Sequence, residues 1–284
     1  MAPLDQVRSY LFVPATDARR VDKALASDAH AVIVDLEDAV PEAGKDDARR
    51  LVVARLRERR PRGLQLVRIN GLDTAHARAD LEALAGLALH GVVIPKAEPQ
   101  RLHSLAPSGP PVIALVETAT GLRRAFETAT RPRVAKLMLG VVDLAVELGA
   151  TPGPDGRELL HARSALVVDS VAAGLGGPID GPCTAIGDGD ALRAETVAAQ
   201  ALGFTAKACI HPAQLAVVHD VFAPSSEELE QARRIVAAAD DAAAGGRGAV
   251  AVDGEMVDAP VVARARRLLE AAGAVGGGGG QSEG

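Results

Sequence analysis

Aromatic residues are scarce in this chain of 284 residues: they make up 2% of the composition, tryptophan is absent, and tyrosine occurs once. An aromatic cage for a cationic ligand and a stacking platform for nucleic-acid bases both need several such rings. The composition therefore argues against both kinds of site. It also predicts a core built from the aliphatic side chains of Val, Leu, Ile and Ala.

The chain also lacks an excess of positive charge, long apolar runs and the cysteine spacing of a disulfide framework or a zinc site. Its formal net charge of −6 argues against nucleic acid as the main partner. No apolar run approaches the roughly 20 residues of a membrane-spanning helix, and no basic and apolar leader opens the sequence, so we expect neither a membrane segment nor a signal peptide. Cys183 and Cys209 fit neither a disulfide framework nor a zinc site. We expect buried thiols in a cytoplasmic protein.

Two apolar segments that each lead to a carboxylate stand in the middle of the sequence. Val112–Glu117 and Lys136–Asp143 are predicted as strands buried on both faces, with a helix over Gly121–Thr130 between them. Such a βαβ unit makes the strands parallel neighbours, so Glu117 and Asp143 should lie side by side. Two adjacent carboxylates favour a shared cation, and Mg²⁺ binds one or two protein carboxylates. The pattern predicts a divalent-metal site; helix capping or pairing with an arginine is the alternative.

Strands and helices alternate along most of the chain, which predicts an α/β fold, the TIM (β/α)₈ barrel. The predicted strands are Ser9–Pro14, Ala31–Asp38, Leu64–Asn70, Gly91–Lys96, Val112–Glu117, Lys136–Asp143, Gly176–Pro182 and Phe204–Pro212. In this fold the active site lies at the C-terminal ends of the strands. The ionisable residues at those ends are Asp35, Glu37, Asp38, Arg68, Lys96, Glu117, Asp143, Asp180 and His211.

The C-terminal part differs in character from the barrel. Ser226–Ala244 is predicted as an Ala-rich helix, followed by a flexible link at 245–248, a short hairpin and a helix over Pro260–Ala272. We therefore divide the chain into a barrel at 1–224, a helical or lid segment at 225–273 and a disordered Gly-rich tail at 274–284. The middle segment is too small to fold alone, so it must pack on its own barrel or on a neighbour's.

Short motifs stand in order along nearly the whole chain. They are Arg8-Ser9 with Leu11–Pro14, Asp35–Val40 with Lys45 and Ala48-Arg49, Val67–Asn70, Ile94–Lys96, Glu117-Thr118, Gly140–Leu144, Cys209–Pro212 and Gly254–Pro260. Over about residues 8 to 270, these motifs resemble the citrate lyase β-subunit-like family of the HpcH/HpaI aldolase/citrate lyase superfamily. That family contains citrate lyase β chains, malyl-CoA and citramalyl-CoA lyases, and related thioesterases.

The resemblance implies a cofactor, substrates and an assembly. It implies Mg²⁺, for which Mn²⁺ can substitute, a CoA or acyl-carrier thioester, a 2-oxo acid, and a homo-oligomer, usually a trimer. The favoured function is a Mg²⁺-dependent carbon–carbon lyase that acts on a short 3-hydroxyacyl-CoA such as malyl-CoA or citramalyl-CoA. The alternatives are a citrate lyase β subunit that yields oxaloacetate from a citryl carrier-protein thioester, a malyl-CoA thioesterase, and a non-enzymatic CoA-binding assembly subunit. A free 2-oxo-acid aldolase is disfavoured, since such enzymes use a histidine near the end of strand two.

The resemblance also implies roles for single residues. Glu117 and Asp143 would hold the metal and, through it, the substrate. Arg68 would bind the substrate and stabilise developing enolate charge, with a structural ion pair to Glu37 or Asp38 as the alternative. Asp258 matches a lid aspartate that in relatives transfers a proton in an adjacent subunit's site, although an Asp before Ala-Pro is also an ordinary helix cap.

Further residues are given supporting roles. A helix that begins near residues 142–144 would let backbone N–H groups of Val142, Asp143 and Leu144 bind the substrate carboxylate, with a hydrophobic strand end as the alternative. Glu37 and Asp38 would reach the metal through water or orient Arg68, and Lys96 would neutralise this acid cluster. Contacts to CoA phosphates are assigned to three residues of the first helix, with a solvated helix face as the alternative: Arg19, Arg20 and Lys23. His211 is expected to be structural.

Overall fold

The computed structural model describes residues 3–58, 62–153, 155–244 and 250–276. These residues form two units, one ending at Phe222 and one beginning at Ala223. In the first unit, eight parallel strands pair in chain order and the eighth pairs with the first, which closes a barrel and confirms the predicted fold. The strands are β1 (Ser9–Pro14), β2 (Ala31–Asp35), β3 (Leu64–Arg68), β4 (Gly91–Ile94), β5 (Val112–Val116), β6 (Val134–Leu139), β7 (Ile179–Asp180) and β8 (Ala206–Cys209).

Helices connect the strands and cover the outside of the barrel. The helices of this unit are α1 (Ala18–Leu25), α2 (Lys45–Glu58), α3 (Ala75–Leu84), α4 (Pro99–Leu102), α5 (Ala119–Arg123), α6 (Ala125–Ala129), α7 (Val141–Leu148), α8 (Leu160–Ala172), α9 (Gly189–Leu202) and α10 (Leu215–Phe222). In α2, Ala48, Val52 and Leu56 recur at helical spacing and are buried. Asp17 caps α1, because its carboxylate accepts the Arg19 N–H at 2.8 Å.

The strands are buried on both faces, which explains their continuous apolar runs. Each strand contributes a side chain to the cluster inside the barrel, namely Tyr10, Ile33, Leu66, Val93, Ile113, Met138, Ile179 and Ala206. Alternate strand residues such as Val32, Val34 and Val67 belong to a second cluster, which also contains the buried helix residues. The aliphatic core predicted from the composition is thus observed, and both cysteines are free and buried, as expected.

Several element ends differ from the predicted ones. The predicted sixth strand reaches Asp143, whereas β6 ends at Leu139 and Asp143 lies in the first turn of α7. The helix predicted over Gly121–Thr130 is split at Arg124 into the two short helices α5 and α6. Helix α10 was not predicted, and it completes the eighth βα unit. Local propensity specifies such ends weakly, because tertiary packing overrides it.

Two stacked histidines lie where β1 and β2 begin. The His30 and His219 rings are 4.2 Å apart and nearly parallel. His219 Nε2 is 2.7 Å from the Ser9 hydroxyl, and His30 Nδ1 accepts the Arg8 backbone N–H at 3.2 Å. Burial, with the neighbouring His219 and Arg8 charges, lowers the pKa of His30 to about 4. Burial and the charge of Arg8 also lower the pKa of His219, and the charge of Asp28 opposes this only in part. The folded barrel therefore holds this pair neutral.

We expect the barrel to lose stability between about pH 6.5 and pH 4. In this window an unfolded histidine binds a proton and folded His30 does not, so the free energy of unfolding falls as the pH falls. Urea midpoints from pH 7.5 to 4.5 measure the slope. His30→Asn keeps an acceptor for Arg8 and does not titrate, so it isolates this slope from that of the carboxylates. Equal slopes for the variant and the natural chain would contradict the assignment.

The second unit contains α11 (Ser226–Ala244), the antiparallel strands β9 (Val250–Val252) and β10 (Glu255–Val257), and α12 (Ala259–Gly276). Asp253 and Gly254 both have positive φ, as the two-residue turn of a tight hairpin requires. Asp258 precedes α12, and its carboxylate accepts the Val261 N–H at 3.4 Å. The predicted helix, hairpin and helix are present in this order. The assignment of this unit as a lid stays a prediction.

Parts of the predicted organisation fall outside the described residues. These are the glycine-rich link at 245–248 and the tail from 277 onward. The last helix runs to Gly276, three residues into the predicted tail. Among the described residues, every helix is too short or too polar to span a lipid bilayer.

Candidate active site

The C-terminal ends of the barrel strands surround a cavity of about 270 Å³. Four ionisable side chains line it: Asp35 at the end of β2, Arg68 at the end of β3, Glu117 after β5 and Asp143 on α7. The rest of the wall is mostly apolar and includes Phe12, Leu115, Met138, Val142, Ala208 and Ile210. A small apolar cavity with a few converging charged groups is the usual form of a site for a small reactive ligand.

Arg68 is held in one orientation by two carboxylates. Its Nε and Nη2 donate to the two oxygens of Asp35 at 2.7 and 2.6 Å, and its Nη1 lies 3.0 Å from Oε2 of Glu37. Burial acts to lower the pKa of Arg68, but the hydrogen bonds and charge of Asp35 outweigh it and raise the pKa above its usual range. The guanidinium also lies 5.3 Å from the centre of the Phe12 ring. It is therefore a charged group fixed in place, with Nη1 free of hydrogen bonds to Asp35.

The main partner of Arg68 is Asp35. The predicted pairing partners are Glu37 and Asp38, but Asp38 is more than half exposed and its carboxylate is 4.0 Å from Nη1. Asp35 and Arg68 are register partners on β2 and β3, so the two residues lie side by side at the ends of neighbouring strands. An acid at the end of one strand and an arginine at the end of the next could have indicated this pair.

Lys96 connects two acids at the edge of the cavity. Its Nζ donates to Oε1 of Glu37 at 2.9 Å, and its backbone N–H donates to Oε1 of Glu117 at 2.8 Å. Lys96 has a φ of 47°, a left-handed conformation that is uncommon for residues with a Cβ. Burial acts to lower the pKa of Lys96, but the hydrogen bond and charge of Glu37 raise it on balance. Strained backbone of this kind is concentrated at functional sites.

The surroundings of the buried Glu117 and Glu37 side chains disfavour their negative charge. Glu117 is 2% exposed, and burial raises its pKa to about 7, with further increases from the charges of Glu37 and Asp143 that Lys96 only partly offsets. Burial likewise raises the pKa of Glu37, despite Arg68 and Lys96. Oε2 of Glu37 is buried and lacks a hydrogen bond, because Nη1 of Arg68 is near it but poorly aligned. The cluster therefore has more negative charge than its own cations neutralise.

Gly140 makes room for the Glu117 carboxylate. A Cβ at position 140 would lie 2.3 Å from Cβ and 2.7 Å from Oε2 of Glu117, closer than real atoms approach. Gly140 also separates β6 from α7, so that Asp143 enters the cavity from the first turn of a helix and not from a strand end. Neither the sequence pattern nor the family resemblance specifies this steric role of Gly140.

One predicted substrate contact is corrected by the structure. The Leu144 backbone N–H donates to the Gly140 carbonyl at 3.1 Å, as the first hydrogen bond of α7, and the Leu144 side chain is fully buried in the core. It is therefore unavailable to a ligand. Val142 and Asp143 precede this bond and line the cavity, so their N–H groups stay candidates for an anionic substrate group.

The donor set of Glu117 and Asp143 fits a magnesium ion. The two carboxylates line one cavity, and the charge of Asp143 contributes to the raised pKa of Glu117. Within the described residues, no group of three or more His, Cys, Asp or Glu side chains has metal-binding geometry. A magnesium ion takes one or two protein carboxylates and completes its shell with water and substrate oxygens, so a set of two carboxylates suffices for it.

Other predicted strand-end residues lie away from the cavity. Asp180 is fully buried and pairs with Lys207 at 2.6 Å and Arg163 at 3.0 Å, outside the group that lines the cavity. His211 caps a short 3₁₀ turn, since its Nδ1 accepts the Ala213 N–H at 3.2 Å. The three residues assigned to CoA phosphates are exposed on α1 and do not line the cavity: Arg19, Arg20 and Lys23.

Comparisons with known proteins give matches over most of the chain. The model of the HpcH/HpaI aldolase/citrate lyase family matches residues 8–212, and a model of a C–C bond lyase of the TIM-barrel fold matches residues 172–276. The chain is 38% identical over 274 residues to a (3S)-malyl-CoA thioesterase of Cereibacter sphaeroides, covering 94% of this chain and 95% of the relative. It is 41% identical over 271 residues to a citrate lyase subunit beta-like protein of Mycobacterium tuberculosis, covering 93% and 95%.

A solved structure is similar over the same length. It is protein CitE from Mycobacterium tuberculosis in complex with magnesium, acetoacetate and coenzyme A. The TM-score is 0.81 at 38% sequence identity, and the match covers 94% of this chain and 98% of that one.

Proposed function

The chain belongs to the HpcH/HpaI aldolase/citrate lyase family, and we propose that it is a Mg²⁺-dependent carbon–carbon lyase that cleaves or forms a short 3-hydroxyacyl-CoA such as malyl-CoA or citramalyl-CoA. The products of cleavage are an acyl-CoA and a 2-oxo acid. The observation that carries the proposal is the convergence of the fixed Arg68 guanidinium with the Glu117 and Asp143 carboxylates in one small cavity. Binding of magnesium and CoA by a relative of 38% identity supports it.

Glu117 and Asp143 would hold the magnesium ion. When bound, the ion supplies a Lewis acid and a template for the oxygens of the hydroxy acid or 2-oxo acid. Lys96 holds Oε1 of Glu117 through its backbone N–H, which leaves the other carboxylate oxygen beside Gly140 to face the site. The N–H groups at the start of α7 would bind the terminal carboxylate of the substrate.

Arg68 would stabilise the charge that forms on the thioester oxygen. Cleavage removes the hydroxyl proton, breaks the bond between Cα and Cβ, and leaves the electron pair as an enolate of the thioester. Asp35 and Glu37 fix the guanidinium before the reaction, so Nη1 donates to the oxygen without reorganisation. The apolar wall of Phe12, Leu115 and Met138 excludes water and strengthens this interaction.

A second charged group must take the hydroxyl proton and return a proton to the enolate carbon. We assign this role to Asp258, which in this chain caps α12. A trimer in which the second unit of one subunit serves its neighbour's barrel would bring Asp258 to the site. Arg19, Arg20 and Lys23 present exposed positive charge on α1 and would bind CoA phosphates.

Thioester hydrolysis is the second candidate, because a relative of 38% identity is a (3S)-malyl-CoA thioesterase. The same Arg68 would then stabilise the oxyanion that forms when water attacks the thioester carbonyl. The citrate lyase β-subunit alternative requires a citryl group on an acyl carrier protein and yields oxaloacetate.

A panel of CoA thioesters tests the proposal. Purified protein is incubated with malyl-CoA, citramalyl-CoA and citryl-CoA, each with Mg²⁺ or with EDTA, and products are followed by mass spectrometry. A lyase yields an acyl-CoA and a 2-oxo acid in the magnesium arm only. Free thiol with an intact hydroxy acid identifies the thioesterase, and activity restricted to an added citryl carrier protein identifies the citrate lyase subunit. No turnover in any arm would contradict the enzymatic proposal.

A further inference from the structure

Lys45, the first residue of α2, is buried beside the candidate site without lining its cavity. It is 8% exposed, and its Nζ donates three hydrogen bonds: to the carbonyl oxygens of Leu36 at 2.8 Å and Glu37 at 2.7 Å, and to Oδ1 of Asn70 at 2.6 Å. An ammonium group has three N–H donors, so each is used. A lysine is buried at this cost only where such partners are present.

The three bonds connect the two segments that hold the guanidinium in place. Leu36 and Glu37 directly follow Asp35, the last residue of β2. Asn70 lies two residues after Arg68, the last residue of β3. Lys45 therefore connects the segment with Asp35 and Glu37, whose carboxylates hold the guanidinium, to the segment with Arg68.

Asn70 is itself fixed from the other side. Its backbone N–H and its Nδ2 donate to Oδ2 of Asp80 at 2.9 and 2.7 Å, and Oδ1 of Asp80 accepts from Nε of Arg49 at 2.9 Å. Arg49 lies one turn after Lys45 on α2. The network thus begins and ends on one helix and passes through the end of β3.

We propose that Lys45 is a positioning residue, which sets the place of the Glu37 carboxylate and of the Asp35–Arg68 pair through the 36–38 backbone. The test of this role by turnover rests on the proposed function. Without Lys45, two carbonyl oxygens lose their donor and the 36–38 segment moves. Arg68 then spends less time at the reacting oxygen, so kcat should fall by about 10- to 100-fold, the usual cost of losing an outer-sphere partner. KM should change little, because Lys45 does not touch the substrate.

Lys45→Met tests the proposal, with Val52→Ala as a matched destabilised control. Val52 is a fully buried apolar residue on the same helix, and its truncation lowers the melting temperature without removing a polar partner. Both variants are assayed well below their melting temperatures. A fall in kcat for Lys45→Met alone, with partial recovery in Lys45→Arg, supports the proposal. Equal kcat values for the Met and Ala variants overturn it.

A crystal structure of Lys45→Met supplies a readout that does not depend on turnover. We expect residues 36–38 to shift and the Asp35–Arg68 hydrogen bonds to lengthen, and unchanged positions overturn the inference. If the natural chain turns over no thioester, the proposed function fails, and the position of this segment alone decides the role of Lys45.

Discussion

Replacing Glu117 by Gln is expected to reduce magnesium-dependent turnover by more than about 100-fold and to leave the barrel folded, since even outer-sphere partners of a metal commonly cost 10- to 100-fold. Gln keeps the carbonyl oxygen that accepts the Lys96 N–H, and it has nearly the same volume. It removes the negative charge that a magnesium ion requires. Asp143→Asn should have the same effect, because the second carboxylate of the pair is then lost.

The stability of the Glu117→Gln variant gives an independent check. The folded chain raises the pKa of Glu117 to about 7, so the charged side chain destabilises the metal-free protein as the pH rises through that value. At pH 8 with EDTA, the neutral variant should therefore melt at the same temperature as the natural chain or higher. With Mg²⁺, only the natural chain should gain stability.

Thermal melts with EDTA or Mg²⁺ and initial rates measure both effects. Glu127→Gln is the matched control, because Glu127 is exposed on α6, pairs with Arg124 and does not line the cavity. It should behave as the natural chain does. A Glu117→Gln protein with full turnover, or with an undiminished Mg²⁺-dependent rise in melting temperature, would show that the metal is held elsewhere.

Arg68→Lys is expected to lower kcat by about 100-fold or more, the usual cost of removing a donor to a developing oxyanion. Lysine keeps the positive charge near Asp35 and Glu37, so the buried acids are not left without a cation. It cannot make the two parallel hydrogen bonds to Asp35 and still direct a third donor into the cavity. The variant thus separates charge from geometry.

Steady-state kinetics on the preferred thioester distinguish the two roles of Arg68. A fall in kcat and kcat/KM together indicates an interaction made in the transition state, whereas a raised KM at constant kcat indicates substrate binding only. Arg124→Lys, on an exposed ion pair, is the matched control and should leave both constants unchanged. A constant kcat for Arg68→Lys would be incompatible with the assigned catalytic role.

The barrel could be predicted because the sequence pattern that specifies it is local and repeated. Apolar runs of β-branched residues alternate with amphipathic helices, and short connections leave few ways to pair parallel strands. The ends of elements were predicted less well, as α7 shows. Whether Leu139 or Asp143 ends the sixth strand depends on the space beside Glu117, and that space exists only once β5 and β6 have paired.

The site could be predicted in its residue types but not in its contacts. Glu117, Asp143 and Arg68 were identified because acidic and basic residues follow apolar strands whose C-terminal ends meet in a barrel. The preference of Arg68 for Asp35, the left-handed turn at Lys96 and the three bonds of Lys45 were not identified. Each joins residues from different βα units, so nothing in the local sequence indicates the partner.

By itself, the amino-acid sequence determined the eight-stranded barrel, the aliphatic core and the family, because periodicity, composition and ordered motifs act over short stretches of chain. Only the tertiary structure decided which carboxylate clamps Arg68, which glycine leaves room for Glu117 and which lysine joins the two strand ends. Those outcomes depend on distances between side chains brought together from separate units. Hydrogen bonding and burial act on such distances, and spacing along the chain does not specify them.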